Sequence, residues 1–304
     1  MEKNVIVLGF YKYVRIADPV ALWESLLGAC EQIGLKGKIL LGVEGVNCFV
    51  AGTRVQVEEF KAFLASVPEM SDLYFKEDYA SEVPYEKIDI RIRKEIVSFG
   101  VDVDLSNAGE HISPEEFLEL YDGNGNLKDE NIIVLDARND YEYEVGRFKG
   151  AMHLDIENFR EFPQAVEKIA NKKDKKVVMY CTGGIRCEKA SAYLREKGFK
   201  DVKQLNQGII NFGAVAPDTV WEGKCFVFDK RLVTPINEKD NSPITNCLHC
   251  KKSCDFYRNC RNVLCNKFYI SCMDCKKETN GCCSVKCLEI FREQCEMKAV
   301  AGRR

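Results

Sequence analysis

Eleven of the sixteen cysteines fall between Cys247 and Cys295. A small module this rich in thiols draws its folding energy from outside its own apolar residues, by disulfides or by a metal. The N-terminal stretch MEKNVIVLGFYKYVRIADP has no long apolar segment followed by a small-residue cleavage site, so a secretory signal is not expected. The expected address is the cytoplasm, where thiols stay reduced and metal ligation is favoured over disulfides. Cys247-x-x-Cys250-x-x-x-Cys254 and Cys272-x-x-Cys275 have the spacing of zinc knuckles. Cys247, Cys250, Cys272 and Cys275 are therefore the first candidate ligands, with Cys254, Cys260 and Cys265 as further ones. Eleven cysteines could complete two sites with ligands left over, and an iron–sulfur cluster fits the spacing as well as zinc does.

The 304 residues are 46% hydrophobic and 30% charged, as in a soluble globular protein of two or three domains. No apolar run approaches the roughly 20 residues of a membrane helix. The net charge of −3 is uneven: from Glu222 onward there are 16 Lys and Arg against 10 Asp and Glu, leaving the first 221 residues at −9. Lys251 and Lys252, with Arg258, Arg261 and Lys267, alternate with Tyr257, Phe268 and Tyr269 among the tail's cysteines. Basic and aromatic side chains on a small metal module suit contacts to RNA.

Residues 1–100 read as β-α-β-β-α-β, the order of a ferredoxin-like sandwich. Asp18-Pro19 opens one helix, and Thr53 with Gln56 forms a capping box before the next. GVEGVN is a hairpin turn needing Gly and Asn at positive φ. In DIRIRKEIV, isoleucines alternate with Asp89, Arg91 and Arg93, as on any half-buried strand. Arg91 and Arg93 are also candidates for RNA contact. VDVDLSNAGEH reads as a linker. Over 113–220, a capped helix at Ser113-Pro114 precedes strands alternating with helices, the pattern of a parallel sheet. FPQAVEKIANKKDKK reads as a helix, and WEGKCFVFDKR as a strand pair opening a region that runs from 221 to 304.

Ligands of a parallel sheet bind at the carboxyl ends of its strands, where both Asp136 and Cys181 fall, within reach of one pocket. VVMYC runs from a buried strand into Thr182, Gly183, Gly184, Ile185 and Arg186, then into a helix. Two glycines at positive φ would let successive amides converge at a helix N-terminus, a nest for an anion. Such a nest lowers a cysteine pKa until thiolate dominates at neutral pH, and would equally stabilise a persulfide. Arg186 adds positive charge and can tie the loop to a carboxylate. Asp136 and Arg138 read best as an ion-pair brace behind the loop. Cys187 is either a redox partner or a first-turn helix residue; Cys30, Cys48 and Cys225 are read as packing. Of the three histidines, only His249 lies among metal-ligand types.

Cys181-Thr-Gly-Gly-Ile-Arg186 resembles the active-site loop of rhodanese domains, and Asp136-Ala-Arg138, Glu142 and GRFKGAMHL resemble other signatures of that fold. Arg147-Phe148 stands where many rhodaneses have His-Ile. With EGVNCFVAG, DIRIRKEIV, FREFP and WEGKCFVFD added, the chain is similar to the rhodanese-like tRNA uridine hydroxylases over about residues 4–265. That resemblance implies a ferredoxin-like N-terminal domain and a central rhodanese-like α/β domain. It also implies conversion of the wobble uridine of tRNA to 5-hydroxyuridine with molecular oxygen, and Cys181 as the essential cysteine. The alternatives are a sulfurtransferase, passing persulfide sulfur from thiosulfate or a donor protein, and a metal-dependent RNA-binding module with a vestigial site. The intact loop weighs against the last, and the flanking domains against a bare sulfur carrier. No nucleotide cofactor is evident, since no dinucleotide-binding glycine fingerprint is visible; nor is a 2-His-1-carboxylate set that would hold iron.

Overall fold

The computed structural model describes residues 4–301, with side chains through residue 295. The N-terminal elements are β1 (Val5–Tyr13), α1 (Pro19–Ile33), β2 (Lys36–Gly42), β3 (Gly45–Gly52), α2 (Arg54–Ala65), β4 (Lys76–Ala80) and β5 (Ile88–Ile92). Their sheet runs β4-β1-β3-β2-β5: four antiparallel strands in ferredoxin-like order, with β5 added parallel to β2. The caps form as the sequence indicates. Asp18 accepts from the amides of Val20 and Ala21, and Thr53 and Gln56 cap each other, each cap worth about 1 kcal/mol. Both helices bury one stripe, including Leu26, Cys30, Phe60 and Leu64, against the sheet face bearing Leu8, Ile39 and Val50. The β2–β3 turn is tighter than GVEGVN suggested: Val43 and Glu44 form it, Gly45 alone takes positive φ, and Asn47 lies within β3.

The second unit begins where a linker was expected, since Glu110 and His111 belong to its edge strand β6 (Glu110–Ile112). There follow α3 (Pro114–Leu118), β7 (Ile132–Asp136), α4 (Asp140–Val145), β8 (Gly146–Phe148), β9 (Met152–His153), α5 (Phe162–Ala165), β10 (Lys176–Tyr180), α6 (Ile185–Glu196), β11 (Asp201–Leu205) and α7 (Gly208–Val215). The sheet β6-β11-β10-β7-β9 is parallel throughout and apolar on both faces, as layers of helix on each side require. FPQAVEKIANKKDKK is a short helix that tightens into a 3-10 turn over Val166–Lys172. Phe148, in place of an aliphatic residue, is fully buried in an aromatic cluster with Phe117, Tyr180, Phe212 and Trp221.

β12 (Trp221–Phe226) is one strand rather than a pair; it joins β8 on one side and β13 (Val233–Pro235) on the other. Trp221, Cys225 and Ile236 thereby enter the core of the parallel-sheet unit. The cysteine-rich segment folds as β14 (Tyr257–Asn259), β15 (Phe268–Ile270), α8 (Met273–Glu278) and α9 (Val285–Ala301). It docks through Tyr257 and Ile270 on Val145 and Phe226, and Tyr257 donates its hydroxyl proton to the Tyr141 carbonyl. Among the described residues, no helix is long and apolar enough to cross a membrane.

Candidate active site

β10 ends at Tyr180, and Cys181 begins the loop to α6. Only Gly184 takes positive φ, +97°, and a Cβ there would stand 2.7 Å from the Tyr11 hydroxyl. One glycine therefore does the work expected of two. The turn brings the Gly184 amide to 3.1 Å from Cys181 Sγ, which is fully buried. Burial alone would raise the thiol's pKa. A hydrogen bond from Cys187, the Arg186 charge and the amides of Arg186 and Gly184 outweigh it and bring Cys181 down to about 5. Cys187, buried in turn, is pushed well above its ordinary value by burial and by the neighbouring sulfur. It is a proton donor to Cys181, not a second thiolate. The first turn of α7 closes the loop from behind, with Ile209 N–H donating to the Cys181 carbonyl at 3.0 Å.

Arg186 is clamped by Glu142 in a two-pronged ion pair, 2.6 Å and 2.7 Å, with both groups buried. Glu142 also accepts from the Asn139 amide and from the Thr182 hydroxyl, so α4, β10 and α6 meet on one carboxylate. Two parallel N–H···O bonds fix the guanidinium plane as well as its charge. Asp136 and Arg138 form a separate pair, 2.6 Å at its shortest and fully buried. Arg138 also donates to the Gly146 carbonyl and lies between the rings of Tyr180 and Trp221. The structure thus puts Asp136 out of the pocket with Cys181: its carboxylate turns inward to Arg138, and neither residue lines the cavity.

That cavity, about 530 Å³, opens between the two units. Cys181, Thr182, Gly183, Ile185 and Arg186 form one wall; Phe10, Tyr11, Asn47, Phe49 and Lys76 of the N-terminal sheet form the other. Phe159, Arg160 and Phe228 complete it, and exposed Lys38 and Arg160 put positive charge on its lining. The N-terminal unit is bolted to the loop by buried polar contacts. Lys76 donates to the Gly183 carbonyl at 3.0 Å and to Gln207 at 2.6 Å, Tyr13 to the Ile185 carbonyl, and Tyr11 to Glu188. Lys189 on α6 pairs with Glu44 of the β2–β3 turn and with Glu95. Burial brings Lys76 down to about 8, with the Cys181 charge acting in the opposite direction.

Sequence reasoning named Glu142 among the rhodanese-like signatures without making it the carboxylate that holds Arg186, and it missed Lys76 and Tyr11. For those two no signal existed, because only the docking of the two units aims them at the loop. Cys30, Cys48 and Cys225 are buried in the apolar cores, with burial pushing Cys30 and Cys225 up to about 12.

Arg91 lies opposite Leu40 across the β2–β5 pairing, on the sheet face that carries Lys38 and Leu40 to the cavity. It is exposed and pairs with Asp89 at 2.7 Å. Arg93 follows β5, exposed, and Lys251 and Lys252 are exposed in the tail. The tail's sulfurs gather in two groups that could each hold a metal ion: Cys247, Cys250, Cys272 and Cys275, and Cys260, Cys265, Cys283 and Cys287. Among the described residues Cys254 and His249 belong to neither group.

Comparison with known proteins divides the chain in the same order. The family profile for the UPF0176 acylphosphatase like domain matches residues 5–96, that for the rhodanese-like domain residues 113–214, and that for the rhodanase C-terminal region residues 222–288. A protein of Chlamydia felis (strain Fe/C-56) named tRNA uridine(34) hydroxylase is 41% identical over 300 residues, covering 96% of this chain and 90% of that one. One of the same name from Legionella pneumophila (strain Corby) is 49% identical over 235 residues, covering 76% and 90%. A solved rhodanese-like domain from Anabaena sp shares 21% identity over 37% of this chain and 78% of its own, with a TM-score of 0.30, a likeness too slight to argue from.

Proposed function

Because this chain belongs to the family of tRNA uridine(34) hydroxylases, we propose that it hydroxylates the wobble uridine of tRNA at C5, with Cys181 as the essential sulfur and molecular oxygen as co-substrate. One oxygen atom enters at C5 and the other leaves as water, on two electrons from an external reductant. The observation that carries this reading is the cavity between the two units, with a thiolate-stabilising loop as its wall. A base inside an anticodon stack cannot present C5 to a buried sulfur, so the nucleotide must swing out. A cavity of about 530 Å³ has room for a pyrimidine nucleoside, aromatic faces at Phe49, Phe159 and Phe228 to stack on it, and carboxamides at Asn47 and Asn158 for its edge.

In this reading residues 113–220 do the chemistry. Cys181 meets the base, Thr182 to Ile185 shape the loop, and Arg186 holds the thiolate's charge. Asp136 and Arg138 brace the loop from behind. Residues 1–100 close the cavity, and RNA is gripped by Arg91 and Arg93 together with the 221–304 region through Lys251 and Lys252. A bare sulfur carrier would not need the second wall. The tail's thiolates hold zinc, beginning with Cys247, Cys250, Cys272 and Cys275, and the protein works beside its substrate in the cytoplasm. The test is mass analysis of nucleosides from tRNA incubated with the purified protein and a two-electron reductant, in air and under nitrogen. The expected outcome is 5-hydroxyuridine at position 34 in air only. Equal product under nitrogen would remove oxygen from the proposal, and no product under any condition would remove the reaction.

A further inference from the structure

We propose that the tail holds two metal ions rather than one, in interlocked sites, the second formed by Cys260, Cys265, Cys283 and Cys287. The inference rests on the zinc reading of the first group and extends it. In chain order the ligands come as four pairs: Cys247 and Cys250, Cys260 and Cys265, Cys272 and Cys275, Cys283 and Cys287. The first and third pairs converge on one point, the second and fourth on another. The two sites are therefore threaded through each other, and neither can form from a continuous half of the segment.

Three observations carry it. The sulfur spacing is that of a single bound ion. A zinc ion bound at about 2.3 Å to four thiolates sets neighbouring sulfurs roughly 3.8 Å apart, and Cys265–Cys283 and Cys283–Cys287 stand at 3.7 Å, as does Cys250–Cys272 in the first site. That distance is far beyond a disulfide, all sixteen cysteines are free, and a polynuclear iron cluster would hold the thiolates further apart.

The two sites also repeat each other's construction. The Cys272 amide donates to Cys247 Sγ at 3.4 Å, and the Cys283 amide to Cys260 Sγ at 3.4 Å, so in each site the third ligand's N–H supports the first ligand's sulfur. Each site takes its last two ligands at a helix start, α8 in one and α9 in the other, with the same sequence of burial along its ligands.

Charge agrees. Four thiolates around a divalent ion leave two excess negative charges, and basic residues adjoin ligands in both sites: Lys251 and Lys276 in one, Arg261 and Lys286 in the other. The β14–β15 hairpin lies between the two sites. Cys260 follows β14 and Cys265 sits in the hairpin loop, while Cys272 follows β15 at the hairpin's base. Each ion thus pins one end of the same two strands.

The test is metal analysis of the full chain with native mass spectrometry. Wild type is expected to carry two zinc ions, Cys265→Ser fewer than two, and Cys295→Ser, which alters an exposed cysteine outside both groups, two. A wild type with one zinc overturns the second site while leaving the zinc reading intact; one with none overturns both. Cobalt titration of metal-stripped wild-type chain gives the same count without relying on a variant. Thiolate-to-cobalt absorbance should saturate at two equivalents, and saturation at one overturns the proposal. Interlocking has its own readout: limited proteolysis of Cys265→Ser should cut on both sides of the hairpin, including between Cys247 and Cys260. Cleavage confined to the far half would show two independent sites.

Discussion

Two regions of this molecule surround cysteine sulfur in opposite ways. Around Cys181 the positive counterpart is part of the chain: one turned amide, a helix start and an arginine held by Glu142. In the tail four sulfurs crowd together in each group, and holding all four as thiolates would need a counter-charge imported as an ion. A thiolate held by fixed dipoles keeps its lone pairs for chemistry, whereas one held by a metal gives them up. The loop is therefore where reaction is expected and the tail where stability is. Both regions set a cysteine directly after a strand, Cys181 after β10 and Cys260 after β14, and their difference lies in what surrounds the sulfur.

The sharpest way to break this comparison is Cys181→Ser. A hydroxyl cannot use the nest, since it does not ionise near neutral pH, so 5-hydroxyuridine formation should fall to background. The variant should keep wild-type zinc content and unfold in one cooperative step, losing only the stability that ionisation of the thiol supplies. Measurable product from it would place the chemistry elsewhere. Next in size is Glu142→Gln, which leaves the buried Arg186 guanidinium without its counter-charge. The cost of breaking such a pair is about 3–5 kcal/mol, read as a lower urea midpoint for the central unit. The tail's metal content should not change, because none of its ligands touches Glu142. A midpoint shift no larger than that of a surface substitution would show that the clamp is dispensable.

The sequence carried one half of this site and hid the other. CTGGIR, Asp136 and Arg138 were readable because a strand-to-helix turn is a local object, built by residues within one short window. Even there the first glycine was over-read: Gly183 has ordinary φ, and only Gly184 needs its freedom. Asp136 and Cys181 were both correctly set at strand ends, yet they do not share the cavity, because Arg138 two residues on captures the carboxylate. Lys76 and Tyr11 were illegible, since they sit on an ordinary amphipathic sheet and acquire meaning only when that sheet docks on α6. In the tail, the Cys-x-x-Cys pairs were visible from spacing. Cys247, Cys250, Cys272 and Cys275, named together as first candidates, do lie in one group. The second group was not named as a set, because Cys260-x4-Cys265 and Cys283-x3-Cys287 lack the Cys-x-x-Cys spacing.

A pH series tests the fixed-dipole half more gently. The folded-state pKa of Cys181, about 5, lies below its ordinary value of 9, so ionisation of this group favours the folded state. That contribution is complete above pH 9, shrinks as pH falls toward 5, and is absent below 5. The stability difference between wild type and Cys181→Ser should accordingly widen from pH 5 to pH 9. The alkylation rate of Cys181, followed by peptide mass analysis, should hold steady from pH 9 down to about 6 and fall through 5. A rate that instead climbs with pH up to 9 would mean that the nest does not hold a thiolate.

The smallest effect concerns RNA. The first 221 residues carry −9, so the proposed grip on tRNA needs local basic groups rather than net attraction to the whole molecule. Deleting the tail is a poor probe, because it would strip the cover from Val145 and Phe226 beside α4, which carries Glu142. Lys251→Ala with Lys252→Ala is better: both side chains are exposed, and neither is a metal ligand. If both meet phosphates, each contributes roughly 0.7 to the slope of log affinity against log salt for a single-stranded segment. The double variant should therefore bind tRNA more weakly at low salt with a slope flatter by about 1.4, and turn over bound tRNA at the wild-type rate. The same experiment on Arg91→Ala asks whether the sheet face leading to the cavity shares the load. A flattened slope there with none in the lysine pair would move the RNA path off the tail and leave its cysteines a purely structural task.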